Sequence, residues 1–185
     1  MFLKKLLGLG KSVPQKKKPK SQAGIQLLGA MLVCYPEIAT VAYEPEEGQL
    51  VLGFVIREPL PTREDLQEFA KFIDDSLQTY HQLEDGMFVW VAINADAQAN
   101  TLMLDVRRSM ADVTRGELEL IVTLLRDKFG EQLVVDKHSV DTLEPDFADL
   151  QSDLLDQMLD QAQELTIRER IIGIRENDRV VVYNR

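Results

Sequence analysis

Apolar residues recur along this chain at two periods, every second position in some segments and every third or fourth in others, and the switches between them predict its elements. Val41 and Tyr43 lead into Glu44-Pro45-Glu46-Glu47-Gly48, and Leu50, Leu52, Phe54 and Ile56 follow at period two, the pattern of a β-hairpin. Thr62-Arg63-Glu64-Asp65-Leu66 then opens a helical run with Phe69, Phe72, Ile73 and Leu77 inward. An offset of 52 residues lays this unit on a second one. Thr114-Arg115-Gly116-Glu117-Leu118 falls on the first helix start, and Ile121, Leu124, Leu125 and Phe129 fall on its apolar stripe. Each helix begins with a Thr followed three residues later by an acid, the capping arrangement in which a hydroxyl accepts a backbone N–H and a carboxylate sits at the positive helix end. That role accounts for Arg63 and Arg115 as neighbours of caps rather than as site residues.

Ahead of the second cap, Met87 to Ile93 reads as a strand, Asn94 to Asn100 as its turn, and Leu102, Leu104 and Val106 as inward positions of the return strand. Gln132 to Lys137 reads as one further strand. The expected fold is therefore α+β: a two-layer sandwich whose antiparallel sheet is built from a duplicated β-β-α unit, about 38–85 and 90–137, with the helices on one face. Phe88 and Trp90 belong to that sheet, their alternation leaving one on the less covered face. Upstream, Ile25, Leu28, Leu32 and Tyr35 predict a helix over 22–35 ended by Pro36.

The C-terminal part reads as an added device. From Asp146 to Leu165, Phe147, Leu150, Leu154, Met158, Ala162 and Leu165 form an apolar stripe, and Asp146, Asp149, Asp153, Asp156, Asp160 and Glu164 an acidic one. Arg168 to Ile174 and Val180 to Tyr183 form a terminal hairpin around Glu176-Asn177-Asp178. A lone hairpin is too small to stand alone, so it must join the main sheet, pack on the acidic helix or pair with a second subunit, which makes a homodimer an expectation. The organisation is thus a basic arm over 1–21, the duplicated domain over 22–140, an acidic helix over 141–165 and a hairpin over 166–185.

Charge divides along the same lines. The chain of 185 residues has a formal net charge of −10, with 21 Lys+Arg against 31 Asp+Glu. Residues 1–20 carry seven lysines and no acid, whereas residues 141–165 carry eight acids and no base. The body should repel nucleic acid and anionic membranes, but the arm should not. Phe2, Leu3, Leu6 and Leu7 gather on one side of a short helix beside Lys4 and Lys5, and Lys16, Lys17 and Lys18 follow among prolines. An apolar anchor plus a polybasic stretch supplies the two signals that reversible attachment to an anionic membrane surface requires. Residues 141–165 present the complementary surface: Asp149, Asp153, Asp156 and Asp160 read either as a solvated face or as a docking strip for a basic partner, this chain's own arm included. Trp90 is a candidate interface anchor.

Chemistry is bounded by what residue types are on hand. The single cysteine, Cys34, leaves no internal disulfide or thiol pair and suits a reducing cytoplasm. Gly24 to Tyr35, 12 residues, is too short for a bilayer span of about 20. His81 lies near a helix end and His138 near Asp136, but neither has the spacing of a metal set, and no glycine-rich phosphate loop occurs. No catalytic residue, metal ligand or cofactor site is therefore expected. The order of helix, hairpin, helix, hairpin, helix is similar, as architecture, to secretion-chaperone-like folds. The function expected is a non-enzymatic cytoplasmic adaptor or chaperone-like protein-binding module that touches the membrane through its arm. Two alternatives stand beside it: a peripheral membrane-surface regulatory or structural protein, and an enzyme whose site assembles only in three dimensions.

Overall fold

A computed structural model describes residues 20–136, 145–164, 166–176 and 179–184. The elements are α1 (Lys20–Cys34), β1 (Thr40–Glu44), β2 (Gln49–Arg57), α2 (Arg63–Glu84), β3 (Val91–Gln98), β4 (Thr101–Ser109), α3 (Arg115–Phe129), α4 (Pro145–Ala162), β5 (Ile171–Glu176) and β6 (Arg179–Asn184). The six strands form one antiparallel sheet in the order β3-β4-β2-β1-β5-β6. The fold is α+β in two layers, as the alternation of periods predicts.

Strand parity decides which face is covered. Val41 and Tyr43 of β1, Leu50, Leu52, Phe54 and Ile56 of β2, Leu102, Leu104 and Val106 of β4, and Ile171 of β5 lie opposite one another in register and are all buried. Leu27, Leu28, Met31 and Leu32 of α1, Phe69, Ile73 and Leu77 of α2 and Leu118, Ile121, Val122 and Leu125 of α3 join them in one core. At about 1.5–3 kcal/mol for each fully buried large apolar side chain, this shared core outweighs any single polar contact in the molecule.

The central strands are related by a local two-fold register. Gly53 pairs with Asp105, 52 residues on, and the pairs on either side run symmetrically from Gln49↔Ser109 to Arg57↔Thr101. The outer strands depart from that offset: Val41 faces Leu52 and Ala95 faces Leu104, so β1 and β3 are 54 residues apart. The difference lies in the turns. Four residues connect β1 to β2, with Gly48 at a φ of 63°, which only a residue without Cβ adopts easily, while Ala99 and Asn100 alone connect β3 to β4. The predicted turn over Asn94–Asn100 is therefore corrected. Asn94 to Gln98 pairs along β4 because an edge strand is held by its backbone and needs no apolar alternation on its exposed side.

A second correction concerns Gln132–Lys137. Gly130–Gln132 is a 3-10 turn, and only Leu133 bridges Ile56, with the Val134 N–H donating to the Val55 carbonyl. β1 covers β2 only as far as Gly53, so the free edge beyond it accepts one short contact before Asp136 turns away to the Pro36 carbonyl. The C-terminal hairpin takes the first of its three predicted places, β5 pairing with β1 and leaving β6 at the edge. Arg175 of β5 locks it there. Its guanidinium donates to the Leu32 and Tyr35 carbonyls at the end of α1 and to Asp136 at 2.9 Å, a cation placed where the helix dipole favours one.

The apolar stripe of α4 is turned from the one predicted. Leu155, Leu159 and Ala162 are buried in the core, whereas Leu154 is 48% exposed and Met158 only partly covered. α4 packs against α1 and α3, and the contact of Asp156 with Arg115 on α3, at 3.3 Å, fixes its rotation.

Candidate functional site

The most unusual packing in the molecule is polar and lies beneath the loop that joins α2 to β3. Arg108 continues the inward parity of Leu102, Leu104 and Val106, so the strand delivers a guanidinium into the core with no exposure at all. Opposite it stands Glu117, equally buried in the first turn of α3. The pair is bidentate: Arg108 Nε donates to Glu117 Oε1 and Nη2 to Oε2 at 3.0 Å. Glu117 Oε2 also meets His81 Nε2 at 2.7 Å, and His81 Nδ1 meets Asp85 Oδ2 at 3.1 Å. One chain of ionisable groups therefore ties β4, α3 and the end of α2 together and reaches solvent only at Asp85, 44% exposed. Its hydrogen bonds to His81 and to the Met87 N–H hold the Asp85 carboxyl below its ordinary range.

Arg108 and Glu117 are both kept from solvent. The network's chemistry is that of a clamp. A charge buried without partners is expensive, and a fully satisfied network fixes one geometry for every group it touches. What it fixes is the loop from Asp85 to Trp90, which follows the last turn of α2. The third Arg108 donor, Nη1, binds the Trp90 carbonyl, and Gln78 of α2 grips Val89 twice, receiving its N–H at 3.2 Å and donating to its carbonyl. The Asp85 and Gly86 N–H groups return to the His81 carbonyl, Met87 N–H donates to Asp85, and Gly86 takes a φ of 70° that lets the chain reverse.

Held in this way, the loop and the last turn of α2 before it turn large apolar side chains outward. Leu83 is 81% exposed, Met87 56%, Phe88 83% and Trp90 50%, while Val89 between them is buried. Phe88 and Trp90 thus share one parity and are both exposed, and they precede β3, which begins at Val91. This corrects the expectation of a strand from Met87 and of a single exposed aromatic. Trp90 is exposed together with Leu83, Met87 and Phe88, which the sequence pattern does not single out as one cluster. The signal that could have found the network was present: His81 extends the row Phe69, Ile73, Leu77 at spacing four, and Arg108 extends the inward row of β4.

The remaining predicted positions are dispersed. Asp153 and Asp160 are exposed on α4, Asp156 pairs with Arg115, and the side chain of Asp149 lies outside the described residues. So do Phe2, Leu3, Lys4, Lys5, Leu6, Leu7, Lys16, Lys17, Lys18 and His138; Asp136 pairs with Arg175. Arg63 directly follows the Thr62 cap, and Arg115 bridges Glu119 and Asp156. Cys34 lines a groove of about 440 Å³ between α1 and α4, and burial pushes its thiol up against the opposing field of Arg115. Among the described residues no group of three His, Cys, Asp or Glu side chains converges as metal ligands do, and no helix is long and apolar enough to cross a membrane. Compared with protein-family models, with curated proteins and with solved structures, the chain matches none.

Proposed function

We propose that this chain is a non-enzymatic protein-binding module of adaptor or chaperone-like type, and that the segment from Leu83, at the end of α2, to Trp90 is the surface it presents to its partner. One observation carries the reading. Four large apolar side chains stand in water at the end of α2 and on a loop whose backbone is held at Val89 and Trp90 by part-buried hydrogen bonds, which oppose a retreat inward by a loop movement. Ordering entropy is a principal cost of association, and a loop already held in one shape has little left to lose. Each of these side chains offers up to about 1.5–3 kcal/mol when buried, the scale of an interface hot spot.

The surroundings define the partner's chemistry. Glu84 and Asp85 flank the apolar cluster, and the chain as a whole is acidic at −10. A partner segment with aliphatic or aromatic anchors and basic flanks fits both features; nucleic acid and an anionic bilayer fit neither. Trp90 is the chain's single tryptophan, so its emission reports on this surface alone. A partner recovered with the wild-type chain should shift that emission to shorter wavelength on titration and lose affinity at least tenfold against Phe88→Ser. Unchanged emission at saturation, with Phe88→Ser binding normally, would refute the assignment.

A further inference from the structure

The sheet has two edges, and they are built differently. β3 carries Asp96 between the polar residues Asn94 and Gln98, the kind of charge and polarity that discourages further pairing. β6 places Val180, Val181, Val182 and Tyr183 in succession, all strong strand formers, with no charge, proline or glycine among them. Among the described residues nothing pairs with its outer side. Which backbone groups are left there follows from the ladder. The Arg175 N–H donates to the Ala39 carbonyl, so the odd-numbered residues of β5 bond toward β1 and the even-numbered ones toward β6. Ile172, Ile174 and Glu176 therefore bond Tyr183, Val181 and Arg179, and the N–H and C=O groups of Val180, Val182 and Asn184 point away from the sheet. A second feature lies on the same border. α1 rests on β5 and β6 with Gly29 over Val182, and Gln22, Ile25 and Gly29 share one flank at helical spacing. That flank is uncharged, as is all of α1 from Ser21 to Cys34. A helix apolar around most of its circumference belongs to a core, yet Ile25 and Gly29 are only partly covered.

We propose that β6 pairs antiparallel with β6 of a second copy of this chain, about a two-fold axis at Val182, so that the two sheets become one and α1 meets its counterpart. Self-complementarity selects a second copy as the occupant. In hydrogen bonding, a register centred on Val182 sets Val182 against itself and Val180 against Asn184, so all three outward-pointing residues find partners. In side chains, the same register puts Val181 of one copy opposite Tyr183 of the other on the open face, where both are exposed, and a β-branched residue facing an aromatic one is a favourable cross-strand pair. In spacing, strands lie about 4.8 Å apart, so a helix seated over β5 and β6 is about 5 Å from the axis and the two α1 helices are about 10 Å apart, the distance at which helices pack. In charge, residues 166–185 carry five Arg against three acids, so the pairing surface lacks the acidic excess that sets two chains of −10 against each other. The segment from Leu83 to Trp90 leads into β3 at the opposite end of the sheet, so the pairing is independent of that surface and leaves it open in both copies.

Sedimentation equilibrium of the full chain between about 1 and about 100 µM reads the pairing, and twice the mass of one chain is expected at the upper concentrations. Val182→Pro removes one outward N–H and no bond to β5, and Val181→Lys sets a cation on the exposed side of the edge. Each should weaken association at least tenfold, and an unchanged far-UV circular dichroism spectrum of Val181→Lys shows that the fold is intact. Disulfide capture reads the register. In a Cys34→Ser background, Val181→Cys/Tyr183→Cys should give a covalent dimer under mild oxidation and either single replacement far less, because position 181 faces position 183 of the other copy. The mass of one chain at every concentration would overturn the proposal, since the edge then takes no second copy. So would association unchanged in Val181→Lys, which places the contact elsewhere, and so would capture from a single replacement equal to that from the pair.

Discussion

Replacing Arg108 by Met tests whether the buried clamp has the energetic role its geometry implies. Arg108 and Glu117 are both fully buried, and the guanidinium makes two bonds to the carboxylate and one to the Trp90 carbonyl. Arg108→Met keeps most of the side-chain volume but leaves Glu117 facing His81 alone in a medium that solvates it poorly. Breaking one side of a buried pair costs about 3–5 kcal/mol, and the orphaned carbonyl adds roughly 1 kcal/mol. Against a total stability of about 5–15 kcal/mol that loss is large. With a urea slope of about 2 kcal/mol/M, it moves the unfolding midpoint down by roughly 2 M. The companion Arg108→Met/Glu117→Leu removes both charges and should recover at least half of the loss, because the penalty belongs to the stranded carboxylate rather than to the missing attraction. Equilibrium urea unfolding followed by far-UV circular dichroism reads both. A loss under 1 kcal/mol for the single variant, or a double variant as unstable as the sum of its parts, would refute the reasoning.

Other consequences follow from single contacts. Thr62 accepts from the Asp65 N–H at 3.1 Å while Asp65 reaches back to the Thr62 N–H at 3.2 Å, so Thr62→Ala should lower stability by about 1 kcal/mol in the same urea assay. Burial raises the Asp105 carboxyl above its ordinary value of 3.8, so its charged form disfavours folding. Asp105→Asn should therefore unfold at higher urea than wild type at neutral pH. That advantage should shrink as pH falls through the raised pKa and vanish below the unfolded value; a constant difference across pH would contradict the cause given. A Cβ at Gly53 would overlap Thr40 Oγ1, so Gly53→Ala should destabilise by about 1–3 kcal/mol, with much of it restored in Thr40→Ala/Gly53→Ala.

Much of the fold was legible because local chemistry and global packing agree. The Thr caps at 62 and 114, the inward rows of β2 and β4, and the helix ended by Pro36 all lie where spacing puts them. Disagreement arises where tertiary contacts override pattern. Asn94 to Gln98 looks like a turn by composition, yet backbone pairing to β4 suffices for an edge strand. Leu154 and Leu155 are adjacent, so periodicity alone does not choose which of them turns inward; the packing of α4 on α1 and α3 does. The clamp was hidden by a plausible local role for each member. Glu117 occupies the position of a capping acid, and the Thr114 hydroxyl does accept its N–H at 3.2 Å, but its carboxylate is drawn inward to Arg108 and His81. A buried charge has no signature of its own in one sequence; only the parity of Arg108 and the row position of His81 hint at it.

The central claim is that the clamped loop is a partner surface, and the most direct measurement places a photo-crosslinking residue at Phe88 in the full-length chain, with the same residue at Asp160 as control. Illumination in cells should give a discrete protein adduct from position 88, much weaker from position 160 and lost when Trp90→Ala is combined with the probe. No adduct from position 88, or equal adducts from both positions, would contradict the account.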